Sequence, residues 1–199
     1  VRNDSEIEDV GAVNSLERGS ALVAAPGLQD PNFRRTVVLI IDHTASGTLG
    51  VVLNRPSEVP VCDVLPLWGP HATLPRALYV GGPVQRRAAL CVAALPAGVD
   101  AERTEGMIKV RGSLALIDLE ADPELMAPQL RGLRVFAGYA GWGEGQLAGE
   151  ISRGDWVVVP ALADDVLAPA DTDLWSRILR RQGMPLALLA TYPSDPTEN

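Results

Sequence analysis

The sequence predicts an α+β fold in a single domain. Three observations predict it. Apolar, β-branched runs crowd the first half of the chain, the convincing amphipathic helices come later, and no regular strand–helix–strand repeat links them. The length, 199 residues, suits one domain, and hydrophobic residues at 47% with charged residues at 21% are enough to build a core.

The elements follow in order. Residues 1–14 carry Asp4, Glu6, Glu8 and Asp9 with few large apolar groups, and are expected to form a disordered acidic tail. The folded domain is expected over 15–193, with a frayed end over 194–199. Ala21–Ala24 reads as a strand stopped by Pro26-Gly27. Thr36–Asp42 and Thr48–Leu53 read as a hairpin with a loop of about five residues. Their near-continuous hydrophobicity predicts cover on both faces. Asn54-Arg55-Pro56 should end the second strand, since proline stops pairing. Ala77–Val80, Ala88–Leu95 and Ser113–Leu119 continue the strands.

Asp122-Pro123-Glu124 predicts a helix start, because Asp caps an orphan amide and Pro at the first helical position loses no bond; the helix should run to about Arg131, with Gly132 as its stop. Leu133–Phe136 returns as a strand. Gln146–Ser152 is a short helix with Leu147 and Ile151 on one face, and Trp156–Val159 is a strand closed by Pro160. Thr172–Gln182 is an amphipathic helix with Leu174, Trp175, Ile178 and Leu179 inward; Arg177, Arg180 and Arg181 complement the negative end of its dipole.

Composition excludes several function classes. The net charge is −8, and although sixteen arginines and one lysine are present, they form no basic stripe, which disfavours direct nucleic-acid contact. No apolar run approaches the 18 or so residues that cross a bilayer, and the N-terminus lacks a secretory signal pattern, so the expectation is a cytoplasmic protein without membrane contact. Cys62 and Cys91 lie outside any Cys-x-x-Cys motif, and both read as structural thiols. His43, His71 and the two cysteines share no ligand spacing, so no metal and no cofactor are expected. There is no Gly-x-Ser-x-Gly elbow, no phosphate-binding Walker loop and no Gly-x-Gly-x-x-Gly. Asp42 and His43 adjoin, but neighbours on a strand point to opposite faces, so His43 reads as a hydrogen-bonded turn residue before it reads as a general base.

Two glycine clusters, Gly81-Gly82-Pro83 and Gly141–Gln146, read first as tight turns; anion binding by their amides is the sharper alternative. The arginine doublets Arg34-Arg35, Arg86-Arg87 and Arg180-Arg181 can fork onto carboxylate or phosphate, although scattered doublets on an acidic chain are first read as solvated or internally paired. Asp30-Pro31 before Phe33 reads as a turn whose Asp accepts backbone amides, and Trp142 and Trp156 as core-edge anchors seeking acceptors for their indole N–H groups.

Read together, Leu22–Pro26, Asp30–Phe33, Arg35–Leu39, His43, Gly47, Gly50–Pro56, Gly81–Val84, Gly138–Trp142 and Gly145–Leu147 resemble the YqgE/AlgH family of bacterial proteins over about residues 18–192. The resemblance implies a single α+β domain whose curved, bifurcated, mostly antiparallel sheet forms a pseudo-barrel flanked by helices. It transfers no catalytic residues, and it implies a regulatory role, since some members carry a transcriptional-regulator label. The expected ligand cleft gathers Asp30, His43, Asn54, Arg55, Gly81, Gly82, Trp142 and Gln146 from loops at one end of the sheet. The expected function is a non-catalytic regulatory or interaction protein binding a partner protein or a small ligand; a homo-oligomer is compatible with the sequence. The alternative is a hydrolase or nucleotide-acting enzyme using the glycine-rich loops and His43, and direct nucleic-acid binding ranks last.

Overall fold

In the computed structural model, which describes residues 15–193, the chain runs β1 (Ser20–Ala24), β2 (Val37–Thr44), β3 (Gly47–Val52), β4 (Pro56–Pro60), α1 (Val61–Val64), β5 (Ala77–Val80), β6 (Val84–Ala94), β7 (Met107–Arg111), β8 (Leu114–Ile117), α2 (Pro123–Met126), β9 (Gly132–Gly143), α3 (Gln146–Ser152), β10 (Trp156–Pro160), α4 (Ala163–Val166), α5 (Leu174–Arg181) and α6 (Leu186–Leu189). The acidic tail expected over 1–14 and the frayed end over 194–199 lie outside the described residues.

The sheet runs β10-β1-β2-β3-β9-β6-β8-β7, with β4 and β5 off this path. Its bifurcation is made by β9. One edge of β9 carries β6; along the other edge β3 pairs Gly141–Gly143 and Ala140, and then β5 takes over at Phe136 and Ala137, in parallel. Gly138 sits at the fork with φ +71, where an added Cβ would lie 2.8 Å from the carbonyl oxygens of Gly82 and Val84. A Cβ at Gly82 would fall on the backbone of Tyr139. Only glycine lets these backbones cross so closely. Across from Gly138, β6 inserts Gln85–Ala88 between the pairs Val84–Tyr139 and Ala89–Ala137, and this bulge carries Arg86 and Arg87 outward.

Side-chain alternation places a layer on each face of β2. Val37, Leu39 and Ile41 join the interior with Val23, Phe136 and the α5 residues Leu174, Trp175, Ile178 and Leu179. Val38 and Ile40 face the opposite way, under Trp142, Trp156, Leu147 of α3 and Phe33. All five residues Val37–Ile41 are buried, as continuous hydrophobicity predicts. A third cluster, with Val61, Trp68, Met126 and Leu133, covers the other lobe. The curled sheet nearly closes where Arg111 of β7 pairs with Glu17 at 3.1 Å, and Val110 reaches the same interior cluster as Val23.

Several elements differ from expectation for local reasons. The β2–β3 connection is a two-residue turn, Ala45-Ser46, because Thr44 pairs with Gly47 and the ladder continues through a bulge after Ile40. Pro56 does not stop pairing. It opens β4, a position where its missing N–H leaves no bond unmade, and pairs with Tyr79. The helix expected from Asp122 to Arg131 ends at Met126, and a 3-10 turn over Ala127–Gln129 follows at Pro128; Gly132 then starts β9 instead of merely stopping a helix. Gly141, Trp142 and Gly143 belong to β9 and are not a loop. Of the thiols, Cys91 is buried, which pushes it above its ordinary pKa, whereas Cys62 is exposed on α1. Among the described residues no helix is long and apolar enough to cross a membrane.

Candidate functional site

The Asp30 turn organises one end of the sheet. Asp30 accepts Asn32 N on its carboxylate at 2.7 Å, and Phe33 N and Arg34 N on its carbonyl at 2.9 and 2.7 Å. The reversal sends Phe33 inward, stacked on Trp142 at 6.0 Å and edge-on to Trp156 at 5.5 Å, and leaves Arg34 exposed. Arg35 follows in a left-handed conformation. Its guanidinium lies 4.1 Å from the Trp175 ring centroid, pairs with Asp173 at 3.1 Å and donates to Tyr192 O at 3.0 Å.

Asn54 clips this turn to the end of β3. Its side-chain oxygen accepts Val37 N at 3.0 Å, and its amide donates to Arg35 O at 2.8 Å. Arg55 adds a third bond, donating to Arg34 O at 2.9 Å. The glycine segment after β5 is fastened alongside, through Val80 N to Arg55 O at 2.8 Å and Val52 N to Gly81 O at 2.9 Å. Three loops are thus held edge to edge.

Two of the clefts that open on them share Arg55. The larger, about 720 Å³, is lined by Arg34, Arg35, Asn54 and Arg55 on one side and by Asp171, Thr172 and Asp173 on the other. The smaller, about 290 Å³, lies between Asn32, Arg55, Gly82 and Arg86, with no acidic residue in its lining. Arg55 borders both. Among the described residues Arg34, Arg55 and Arg86 make no ion pair, although the chain as a whole carries −8. Asp173 is already engaged: it caps α5 through Ser176 N and Oγ at 3.1 and 2.6 Å. Partial burial pushes its pKa up, but the Ser176 bonds and the charges of Arg35 and Arg180 outweigh that and hold it below the ordinary carboxylate value.

The eight residues expected to share one cleft do not all meet. Arg55 and Gly82 line the clefts, and Asp30 shapes the turn between Gln29 and Pro31, which line the larger one. Asn54 reaches the larger cleft, but both ends of its amide are committed to backbone. Gly81 and Gly82 serve the close crossing at the fork. Trp142 is buried, with its indole on Glu150; Gln146 accepts from Gly143 N at 3.1 Å and donates to Glu150 at 3.0 Å, so it braces the start of α3. His43 lies at the opposite end of β2, six residues past Val37, a separation of about 20 Å along the strand. There its Nδ1 is 2.7 Å from Thr48 Oγ1 in a separate groove beside α3. A hydrogen bond to a hydroxyl, with no carboxylate partner among the described residues, fixes the ring as the turn-histidine reading expects. Among the described residues no three His, Cys, Asp or Glu side chains gather as a metal site. Arg34 and Arg86 are the additions. Their signal in sequence was the doublets standing in Gly/Pro loops, which pairing arguments alone would place on a solvated surface.

The fold and site define an α+β domain with a curled, forked sheet and an arginine-lined cleft built from its loops. The AlgH-like family model matches residues 21–187, and the chain belongs to the YqgE/AlgH family. It is 55% identical to a UPF0301 protein of Rhodococcus opacus over 181 residues, covering 91% of this chain and 90% of that one. Against a UPF0301 protein of Mycobacterium ulcerans the identity is 50%, covering 100% and 98% of the two chains. A crystal structure of a Corynebacterium diphtheriae protein superposes with a TM-score of 0.89 at 44% identity, covering 92% of this chain and 95% of that chain. The solution structure of AlgH from Pseudomonas aeruginosa gives 0.64 at 28% identity, covering 94% and 100%.

Proposed function

We propose that this protein is a cytoplasmic, non-catalytic regulatory or interaction protein that takes a partner protein or small ligand at the arginine-lined clefts. One observation carries the reading. Arg34 and Arg55 stand on clipped loops and Arg86 on the β6 bulge, all without carboxylate partners among the described residues, while Asn54, Trp142, Gln146 and His43 are held in structural bonds. Unpaired guanidinium groups on a fixed backbone are prepared to fork onto an anionic group with little ordering cost. The acidic remainder of the surface repels polyanions, which favours a discrete anionic group over a nucleic acid.

The test is capture from native lysate together with a ligand panel read by melting shift, on the native chain and on the Arg34→Ala/Arg55→Ala double variant. A bound species or stabilising ligand lost in the double variant supports the reading. Binding that ignores both arginines, or turnover of a substrate that requires His43, overturns it.

A further inference from the structure

Resting on that binding role, we infer that the smaller cleft seats a phosphate monoester whose organic part extends past Arg55 into the larger cleft. At about 290 Å³ the smaller cleft lies at the lower limit of pockets that enclose whole ligands, roughly 300–1,000 Å³, so it suits a head group. Its charge selects the group. One guanidinium fork satisfies one carboxylate, whereas Arg55 and Arg86 on a single acid-free cleft, with Asn32 beside them, match the two charges and three terminal oxygens of a phosphomonoester dianion.

Among the described residues Arg55 makes a single side-chain hydrogen bond, to Arg34 O, leaving most of its five N–H donors free. Arg86 is lifted from the sheet by the bulge opposite Gly138. The other end of the ligand meets different chemistry. Asp171 makes no ion pair among the described residues, and Thr172 lies next to it on the wall of the larger cleft. That wall accepts hydroxyl or amino donors. The class of ligand is therefore a small hydroxylated or amino compound with a phosphate.

Titration calorimetry of the full chain with inorganic phosphate and with O-phosphoserine tests this, using serine and acetate as controls. Both phosphates should bind, phosphoserine more tightly, and neither control should. Affinity should weaken as pH falls from 7.5 to 5.5, because the phosphate takes up its second proton near pH 6. Arg86→Met, on an exposed bulge, should weaken both by about tenfold or more at an unchanged melting temperature. Asp171→Asn should weaken phosphoserine alone, and Arg103→Met, at a distant exposed pair, should change nothing. Absence of phosphate binding, or an Arg86→Met protein that binds as well as the native one, overturns the inference. If a captured partner then still depends on Arg34 and Arg55, only the phosphate assignment falls; if capture fails too, the binding role falls with it.

Discussion

The indole nitrogens of Trp142 and Trp156 converge on one carboxylate oxygen of Glu150, each at 2.9 Å. Their rings meet edge to face at 6.0 Å, with Phe33 against both. Two buried donors therefore depend on a single acceptor, and Glu150→Ala leaves both unmade. At about 1–3 kcal/mol per buried unpaired donor, the loss should be about 2–6 kcal/mol by urea unfolding. Glu150→Gln keeps an acceptor oxygen and should lose less than half as much. Equal losses in the two variants would mean that charge, and not the shared acceptor, holds the cluster.

Asp165 gives the second prediction. Its side chain is 0% exposed and receives Arg181 through two bonds at 2.8 and 2.9 Å and Arg177 at 3.2 Å. It also accepts Leu162 N at 2.8 Å, so one carboxylate joins the start of α4 to α5. Asp165→Ala should destabilise by about 2–4 kcal/mol, toward the lower end for a broken buried pair because both arginines still reach water. Calorimetric melting measures it, and a loss below about 1 kcal/mol would refute the linking role.

How far the chain could be read follows from where each signal resides. The strands with β-branched or apolar runs, Val37–Ile41 above all, were legible because their pattern is local. So were the Asp122 cap and the inward face of α5, each of which the structure reproduces. β4 and β7 were not, since Pro56–Pro60 and Met107–Arg111 have weak strand composition and exist through pairing with β5 and β8. The site divides in the same way. Asp30 and Arg55 stood out as polar residues in Gly/Pro loops, but His43 shares their composition while lying at the far end of its strand, a fact set by register. That Arg177 and Arg181 serve Asp165 more than the helix dipole was equally nonlocal.

Tyr79 and Arg134 set an alkaline limit. Arg134, 2% exposed, lies 4.1 Å from the Tyr79 ring centroid and donates to Ala168 O and Leu74 O at 2.9 and 3.2 Å, while the Tyr79 hydroxyl is buried without a hydrogen-bond partner among the described residues. Burial raises the Tyr79 pKa, and the Arg134 charge offsets only part of this. Because the folded phenol holds its proton more tightly than the unfolded one, the associated stability is fully present below the unfolded value near 10 and is lost as pH rises through the folded value. Unfolding free energy should therefore fall more steeply above about pH 10 in the native chain than in Tyr79→Phe. At neutral pH that variant should be neutral or up to about 1 kcal/mol more stable, since it removes an unpaired buried hydroxyl. Matching alkaline profiles would exclude Tyr79 as the titrating group.

Asn54 and Arg55 adjoin in sequence, yet their substitutions should separate. Asn54→Ala breaks bonds to Val37 N and Arg35 O and frees the Asp30 turn from β3, so stability should drop by about 1–3 kcal/mol. Any binding at the clefts should weaken with it, because Arg34 and Arg55 then lose their fixed spacing. Arg55→Met gives up one bond, to the Arg34 carbonyl at an exposed site, and should cost under about 1 kcal/mol while removing the charge that both clefts share. Paired unfolding and ligand-binding curves read the two effects apart. If Arg55→Met destabilised as much as Asn54→Ala, the arginine would be part of the clip, and the clefts would have to recognise their anion through Arg34 and Arg86 alone.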